Sequence, residues 1–216
     1  MTDIILAGSG GCMRELIWQI QEQRKQDPMW NVIGYVDCKK PQQEDVLVVG
    51  KQQIPYLGDD DVLLEASEPV NVAVCVGTPA LRKKIAEKLA QNPKIQFPNL
   101  ILGEAKICED AELGRGCIIS MDTRISTNVQ MGDFVFLNMG AGVCHDGRLG
   151  DYVTLGPDVR LAGNVTVGSE SELGMGTRVI QGITIGARVC TGAGSVVVRE
   201  LPDDCTAVGV PAKRIK

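Results

Sequence analysis

From Ile101 to Val197 the chain repeats every six residues without a single insertion. The register begins at Ile101, Ile107, Leu113, Ile119 and Ile125 and runs through Val143, Leu149 and Leu161 to Val197; 15 of its 17 positions are Ile, Leu or Val. Glycine follows directly at eight of them (114, 132, 150, 156, 168, 174, 186 and 192). Four residues after each apolar position stands a small or β-branched residue, such as Ala111, Thr123, Val135, Val153, Val165 or Thr177. A six-residue period matches neither a heptad nor the roughly 34–47-residue repeats of αα-solenoids. It predicts a β-solenoid in which each hexad is one short strand and a turn. The aliphatic residue points to the axis, the small residue four places on fits the tight corner, and three hexads close a coil. On that reading the tract holds about five coils of three hexads each.

Residues 1–97 carry a different rhythm. Ile4-Ile5-Leu6-Ala7 is a short apolar run closed by Gly8-Ser9-Gly10-Gly11. An amphipathic stretch follows from Arg14 to Lys25, with Leu16, Ile17 and Ile20 on one face. Val32 to Asp37 and Val72 to Val76 have strand character. Asp59-Asp60-Asp61 supply the acids of a helix start reaching about Ser67, and Pro79 opens a helix to Gln91. Strand–helix alternation with continuous apolar strands predicts a small Rossmann-like α/β domain over 1–97, followed by the solenoid and a tail over 98–216.

A net charge of −5 argues against a nucleic-acid binder, and no apolar run approaches the roughly 18–20 residues that cross a bilayer. The N-terminus lacks the basic and apolar regions of a signal peptide. Eight cysteines are scattered, with no CxxC and no Cys/His cluster. That predicts reduced thiols, no metal site and a cytoplasmic protein. The chain has one histidine, His145. Its hexad, Val143-Cys144-His145-Asp146-Gly147-Arg148, sets it in a turn rather than at the core position. Gly147 is the only glycine four places after an apolar position, which predicts a bare corner. Gly163, one coil later, predicts open backbone above the ring. An imidazole of ordinary pKa, about 6.5, can take a proton at neutral pH.

The G-S-G-G turn, Gly34-Tyr35-Val36-Asp37, the unbroken hexad tract with His145-Asp146 and the closing Val208-Gly209-Val210-Pro211-Ala212-Lys213 occur in that order. Together they resemble the bacterial sugar acetyltransferases, among them UDP-4-amino-sugar N-acetyltransferases and sialic acid O-acetyltransferases. The resemblance implies a left-handed β-helix, a homotrimer with active sites between subunits, acetyl-CoA as co-substrate and a nucleotide-linked or surface-polysaccharide sugar as acceptor. It implies His145 as general base and Asp146 as the acid that orients it. The Gly163 N–H matches an oxyanion donor, and Asn138 matches a residue that contacts the acceptor from its own or a neighbouring subunit. Met175 and Ala193 match positions along the pantetheine path, and Lys213 in the tail is available to CoA phosphates. For Asp146, Asn138, Met175 and Ala193 an ordinary turn residue is the plain alternative.

In the N-terminal half, Gly10, Gly11, Asp37 and Gly77 match residues that hold the nucleotide, and all four are also at home in the turns of any α/β fold. Several positions depart from the family pattern: Gly10-Gly11-Cys12-Met13 replaces Gly-Gly-His-Gly, Cys38 replaces a second aspartate, and Leu102-Gly103 replaces His-Pro. Thr154, on the donor side, stands where some members carry a second histidine. Two further readings stay open: a sialic acid-type O-acetyltransferase, and a non-catalytic sugar-nucleotide-binding scaffold.

Overall fold

The computed structural model describes residues 1–25, 27–38, 46–50 and 52–216. The chain divides into two compact units, Met1–Gly77 with Leu81–Asn99, and Leu100–Lys216 with Thr78–Ala80.

The first unit contains β1 (Thr2–Ala7), α1 (Gly11–Arg24), β2 (Trp30–Val36), β3 (Val46–Val49), β4 (Gln52–Gly58), α2 (Asp61–Leu64), β5 (Val70–Val74), all but the first two residues of α3 (Pro79–Leu89) and β6 (Ile95–Gln96). Sheet order is β3-β4-β2-β1-β5-β6. β1 pairs in parallel with β2 on one side and with β5 on the other. That is the point at which successive connections leave in opposite directions, and the crevice beyond the carboxyl ends of such strands is where α/β sheets bind ligands. Ile4, Leu6, Ile17 and Val72 are fully buried between sheet and helix.

Three details differ from the sequence expectation. The sheet is not wholly parallel, because β3 runs antiparallel to β4 at the edge. The helix expected from Asp59 to Ser67 is one turn, Asp61–Leu64. The Asn92 side-chain amide donates to the carbonyls of Leu63, Leu64 and Ala66 at 2.9, 3.1 and 3.0 Å, so the end of α2 is satisfied without further turns. Finally, α1 begins at Gly11, which brings Cys12 into its first turn.

The second unit is the solenoid. Each coil contributes one short strand to each of three parallel sheets, and partners stand three hexads apart in sequence, as in Ile119↔Leu137, Val143↔Leu161 and Leu149↔Val167. The first sheet passes through Leu100–Ile101, Phe136–Leu137, Thr154–Leu155 and Cys190–Thr191; the second through Arg124–Ile125, Gly142–Val143, Arg160–Leu161 and Arg178–Val179; the third through Gln130–Met131, Arg148–Leu149 and Thr166–Val167. The periodic aliphatics form one continuous buried column from Ile119 to Val197.

The residues four places on, among them Val129, Val135, Val153 and Val165, are also fully buried and belong to that column. The tight turn is made by the residue just before them, which has positive φ in coil after coil: Asp122 (60°), Asn128 (53°), Asp146 (61°), Asn164 (56°). Asn and Asp tolerate that region; Phe134 (54°) and Tyr152 (60°) do not by nature, but their rings stack at 5.3 Å between centroids in successive coils. After Val197 the period shortens, since Thr191 pairs with Ala207 where an unbroken repeat would have offered Gly209. Lys213–Arg214 then returns antiparallel to Thr206–Val208 and closes the end of the first sheet.

Among the described residues no helix is long and apolar enough to cross a membrane.

Candidate active site

Every coil turns three corners. The one between the second and third sheets carries residues 144–147, with 126–129 one coil before and 162–165 one coil after. His145 lies there with 61% of its side chain exposed. Its Nδ1 is 2.8 Å from Asp146 Oδ2. An ionised carboxylate only accepts, so Nδ1 carries a proton, and in the neutral ring it is Nε2 that keeps the lone pair. The other Asp146 oxygen, Oδ1, accepts from Asn128 Nδ2 at 2.6 Å. Hydrogen bonds from His145 and then Asn128 hold the Asp146 carboxyl below the ordinary carboxylate range, which keeps it an acceptor through the neutral range and well into acid.

Gly163 explains where the ring lies. A Cβ built on it would stand 2.3 Å from His145 Cε1 and 2.4 Å from Nε2. The space above this glycine is therefore filled by the imidazole itself, rather than being left open as expected. The ring is seated on the next coil, and the Asn164 N–H donates to the His145 carbonyl at 2.9 Å, tying the two coils together. The bare corner expected at Gly147 is also absent. A Cβ there would meet Val143 Cγ1 at 2.5 Å, so the glycine makes room for a core side chain.

In the N-terminal unit the three strand ends converge. Gly10 precedes α1 in an extended conformation, so the first-turn N–H groups of α1 face out of the helix. Ser9 Oγ donates to Asp37 Oδ2 at 2.6 Å, and the Tyr56 hydroxyl donates to the Asp37 carbonyl at 3.1 Å. A Cβ at Gly10 or Gly77 would meet no described atom within 4 Å, so both glycines border open space. Burial pushes the Cys12 thiol up to about 12, against a smaller opposing effect of Arg82. Cys12 is thus a neutral thiol at working pH.

Known proteins resemble both units of the chain. The PglD N-terminal domain family matches residues 3–89. PerB from Caulobacter crescentus, solved with CoA and GDP-perosamine, is 35% identical over 100% of this chain and 98% of its own, with a TM-score of 0.86. The acetyltransferase domain of PglB from Neisseria gonorrhoeae FA1090, solved with acetyl coenzyme A, is 28% identical over 99% of this chain and 98% of its own, with a TM-score of 0.84. The chain belongs to the bacterial hexapeptide-repeat sugar acetyltransferases. WeeI from Acinetobacter baumannii AYE shares the fold at 21% identity, with a TM-score of 0.73 over 99% of this chain and 100% of its own. No curated protein matches in sequence.

As an acyltransferase of this family, the chain does not bring Asn138, expected at the acceptor, and the expected donor-side residues to the histidine's corner. Asn138, Met175 and Ala193 lie at the corner between the first and second sheets, at the opposite edge of the second sheet from His145. Asn138 spends its side-chain oxygen on the Met139 N–H at 2.7 Å. Met175 and Ala193 are both exposed. Thr154 is buried on the first sheet between Phe136 and Glu172, away from the histidine's corner. Lys213 is exposed on the returning strand of the tail. Cys38 is exposed beside Asp37.

Two residues escaped the sequence reading. Asn128 lies one coil before Asp146 and becomes visible only when the sequence is written in rows of one coil. Arg82 is 1% exposed and donates to the carbonyls of Val76 and Gly77 at 2.8 and 2.7 Å, holding the loop after β5. Its signal was its place in line with Ala86 and Leu89, the buried face of α3.

Proposed function

We propose that this acyltransferase moves the acetyl group of acetyl-CoA to an amino group on a nucleotide-linked sugar, with His145 as general base. The observation that carries the reading is the His145–Asp146 pair, whose Nδ1 is engaged at 2.8 Å while Nε2 faces the next coil at Gly163. Nε2 takes a proton as the acceptor nitrogen attacks the thioester carbonyl. The carbon–sulfur bond then breaks, and CoA leaves as a thiol after protonation. The Gly163 N–H is the donor for the developing oxyanion, with Asp146 stabilising the imidazolium. An amine is favoured over a hydroxyl because the GDP-perosamine N-acetyl transferase of Caulobacter crescentus is similar over the whole chain.

The donor path supports a trimer. Exposed apolar side chains line both edges of the second sheet, Met175 on one and Ile180 and Val198 on the other. A pantetheine arm contacting Met175 and Ala193 and ending at His145 has to be shared by two copies, because one chain holds these residues at opposite edges. Three identical interfaces around one axis satisfy this. The same arrangement lets Asn138 reach an acceptor beside the His145 of a neighbouring copy, and Lys213 reach a CoA phosphate. Thr154, buried on the first sheet, is a support rather than a donor contact.

The acceptor's nucleotide belongs in the N-terminal crevice, with its phosphates over the N–H groups of Gly10 and Gly11 and its ribose or base on Asp37, Cys12, Cys38 and Gly77. Eight free cysteines fit a cytoplasmic enzyme. The test is release of CoA from acetyl-CoA across a panel of GDP-, UDP- and dTDP-linked 4-amino sugars, with His145→Ala alongside. General-base loss typically lowers kcat by ~10²–10⁴. Unchanged turnover in His145→Ala would refute the base.

A further inference from the structure

We propose that Asn128 is a positioning residue for the reaction: from one coil below, its amide holds the Asp146 carboxylate so that His145 keeps its proton on Nδ1. This deepens the reading of His145 as base and rests on it. The chain of contacts is continuous. Asp110 Oδ2 accepts from the Asn128 main-chain N–H at 3.1 Å and from Thr127 Oγ1 at 2.5 Å, which fixes the turn. Asn128 Nδ2 reaches up to Asp146 Oδ1 at 2.6 Å. Asp146 Oδ2 then meets His145 Nδ1 at 2.8 Å.

Residues 110, 128 and 146 occupy one corner column, spaced by one coil, and alternate acid, amide, acid. Only an amide suits the middle place. It offers a donor upward, whereas a carboxylate there would stack against like charges above and below. Asn128 and Asp146 both have left-handed backbone, at 53° and 61°, which directs their side chains along the column. Without the amide, Asp146 is free to turn toward solvent, and a released imidazole prefers its proton on Nε2, the atom that has to be bare. The charged groups around the pair are Asp146 itself, Asp110 below and Arg148 on the following strand.

The chain has a single histidine, so nitrogen-15 NMR reports this ring with no assignment step. Wild type should show the Nδ1–H form. Asn128→Gly keeps the left-handed turn and removes only the amide. It should populate the Nε2–H form and lower kcat about 10-fold, a fraction of the full general-base effect. The KM for acetyl-CoA and the melting temperature should be unchanged. Asn128→Asp, close in shape, should move the acid limb of kcat/KM to higher pH, because an added carboxylate favours the protonated ring. Either variant keeping the wild-type tautomer, kcat and pH profile would overturn the proposal. A tautomer shift in Asn128→Gly alongside a fully active His145→Ala would instead sink the base and leave the positioning intact.

Discussion

Gly163→Ala tests the seat of the imidazole with one methyl group. The added Cβ would lie 2.3 Å from His145 Cε1 and 2.4 Å from Nε2, where ordinary contact begins at 3.4 Å. The ring must therefore retreat by about 1 Å or swing away, and the 2.8 Å bond to Asp146 constrains it to swing. Because His145 is mostly exposed, this rotation needs no repacking, so the melting temperature should move by no more than a degree or two. Catalysis is another matter. A misplacement of about 1 Å in a reacting group can lower the rate ~10²-fold. We expect kcat for CoA release to fall by about that factor, while calorimetry shows nucleotide binding to the N-terminal unit unchanged. Activity within threefold of wild type would mean that His145 works from a different rotamer, and the proposed geometry would be wrong.

Asp37→Ala should raise the acceptor KM about 2- to 150-fold, the range of a hydrogen bond to a neutral or charged partner, and leave the KM for acetyl-CoA alone; a change confined to acetyl-CoA would assign the crevice to the donor. Cys12, with its thiol near 12 rather than the ordinary 9.0, is thiolate at pH 8 in about one molecule in 10⁴, against about one in ten. Its alkylation by iodoacetamide, followed by peptide mass spectrometry, should be ~10³-fold slower at pH 8 than that of a freely exposed cysteine and should keep rising about tenfold per pH unit past pH 9, where an ordinary thiol levels off; equal rates would refute its burial. Arg82→Met strips the Val76 and Gly77 carbonyls of a donor at about 1–3 kcal/mol each, so the urea midpoint should fall and the acceptor KM rise, with partial rescue by Arg82→Lys. An unchanged midpoint would show the loop after β5 to be held by other contacts.

The solenoid was legible because its rule is local: one inward aliphatic per hexad is enough to mark every strand. The residue that makes each turn was not, because left-handed positions are filled by Asn128, Asp146 and Gly140 but equally by Phe134 and Arg188. Those bulky residues are held by stacking on the next coil or by ion pairs such as Arg188–Asp204, which a linear sequence does not display. His145, Asp146 and Gly163 could be picked out by their oddity within the repeat. Their support by Asn128 depended on a contact across a full coil. In the first unit, the end of α2 is decided by Asn92, far downstream at the close of α3, so no local propensity could have placed it.

The fixed length of the coil also makes the molecule a ruler. Adjacent coils pair as neighbouring strands, about 4.8 Å apart. The height from His145 to the antiparallel closure at Lys213–Arg214 can therefore change only in steps of that size. Deleting one residue between Asp146 and Leu161 would set Asn164 against the imidazole in place of Gly163 and turn Ala162 inward in place of Leu161. Deleting residues 165–182 would leave the ring on its glycine and every inward side chain in its row, while bringing the closed end one division nearer. The reach demanded of any donor strung between the two is thus written in whole coils.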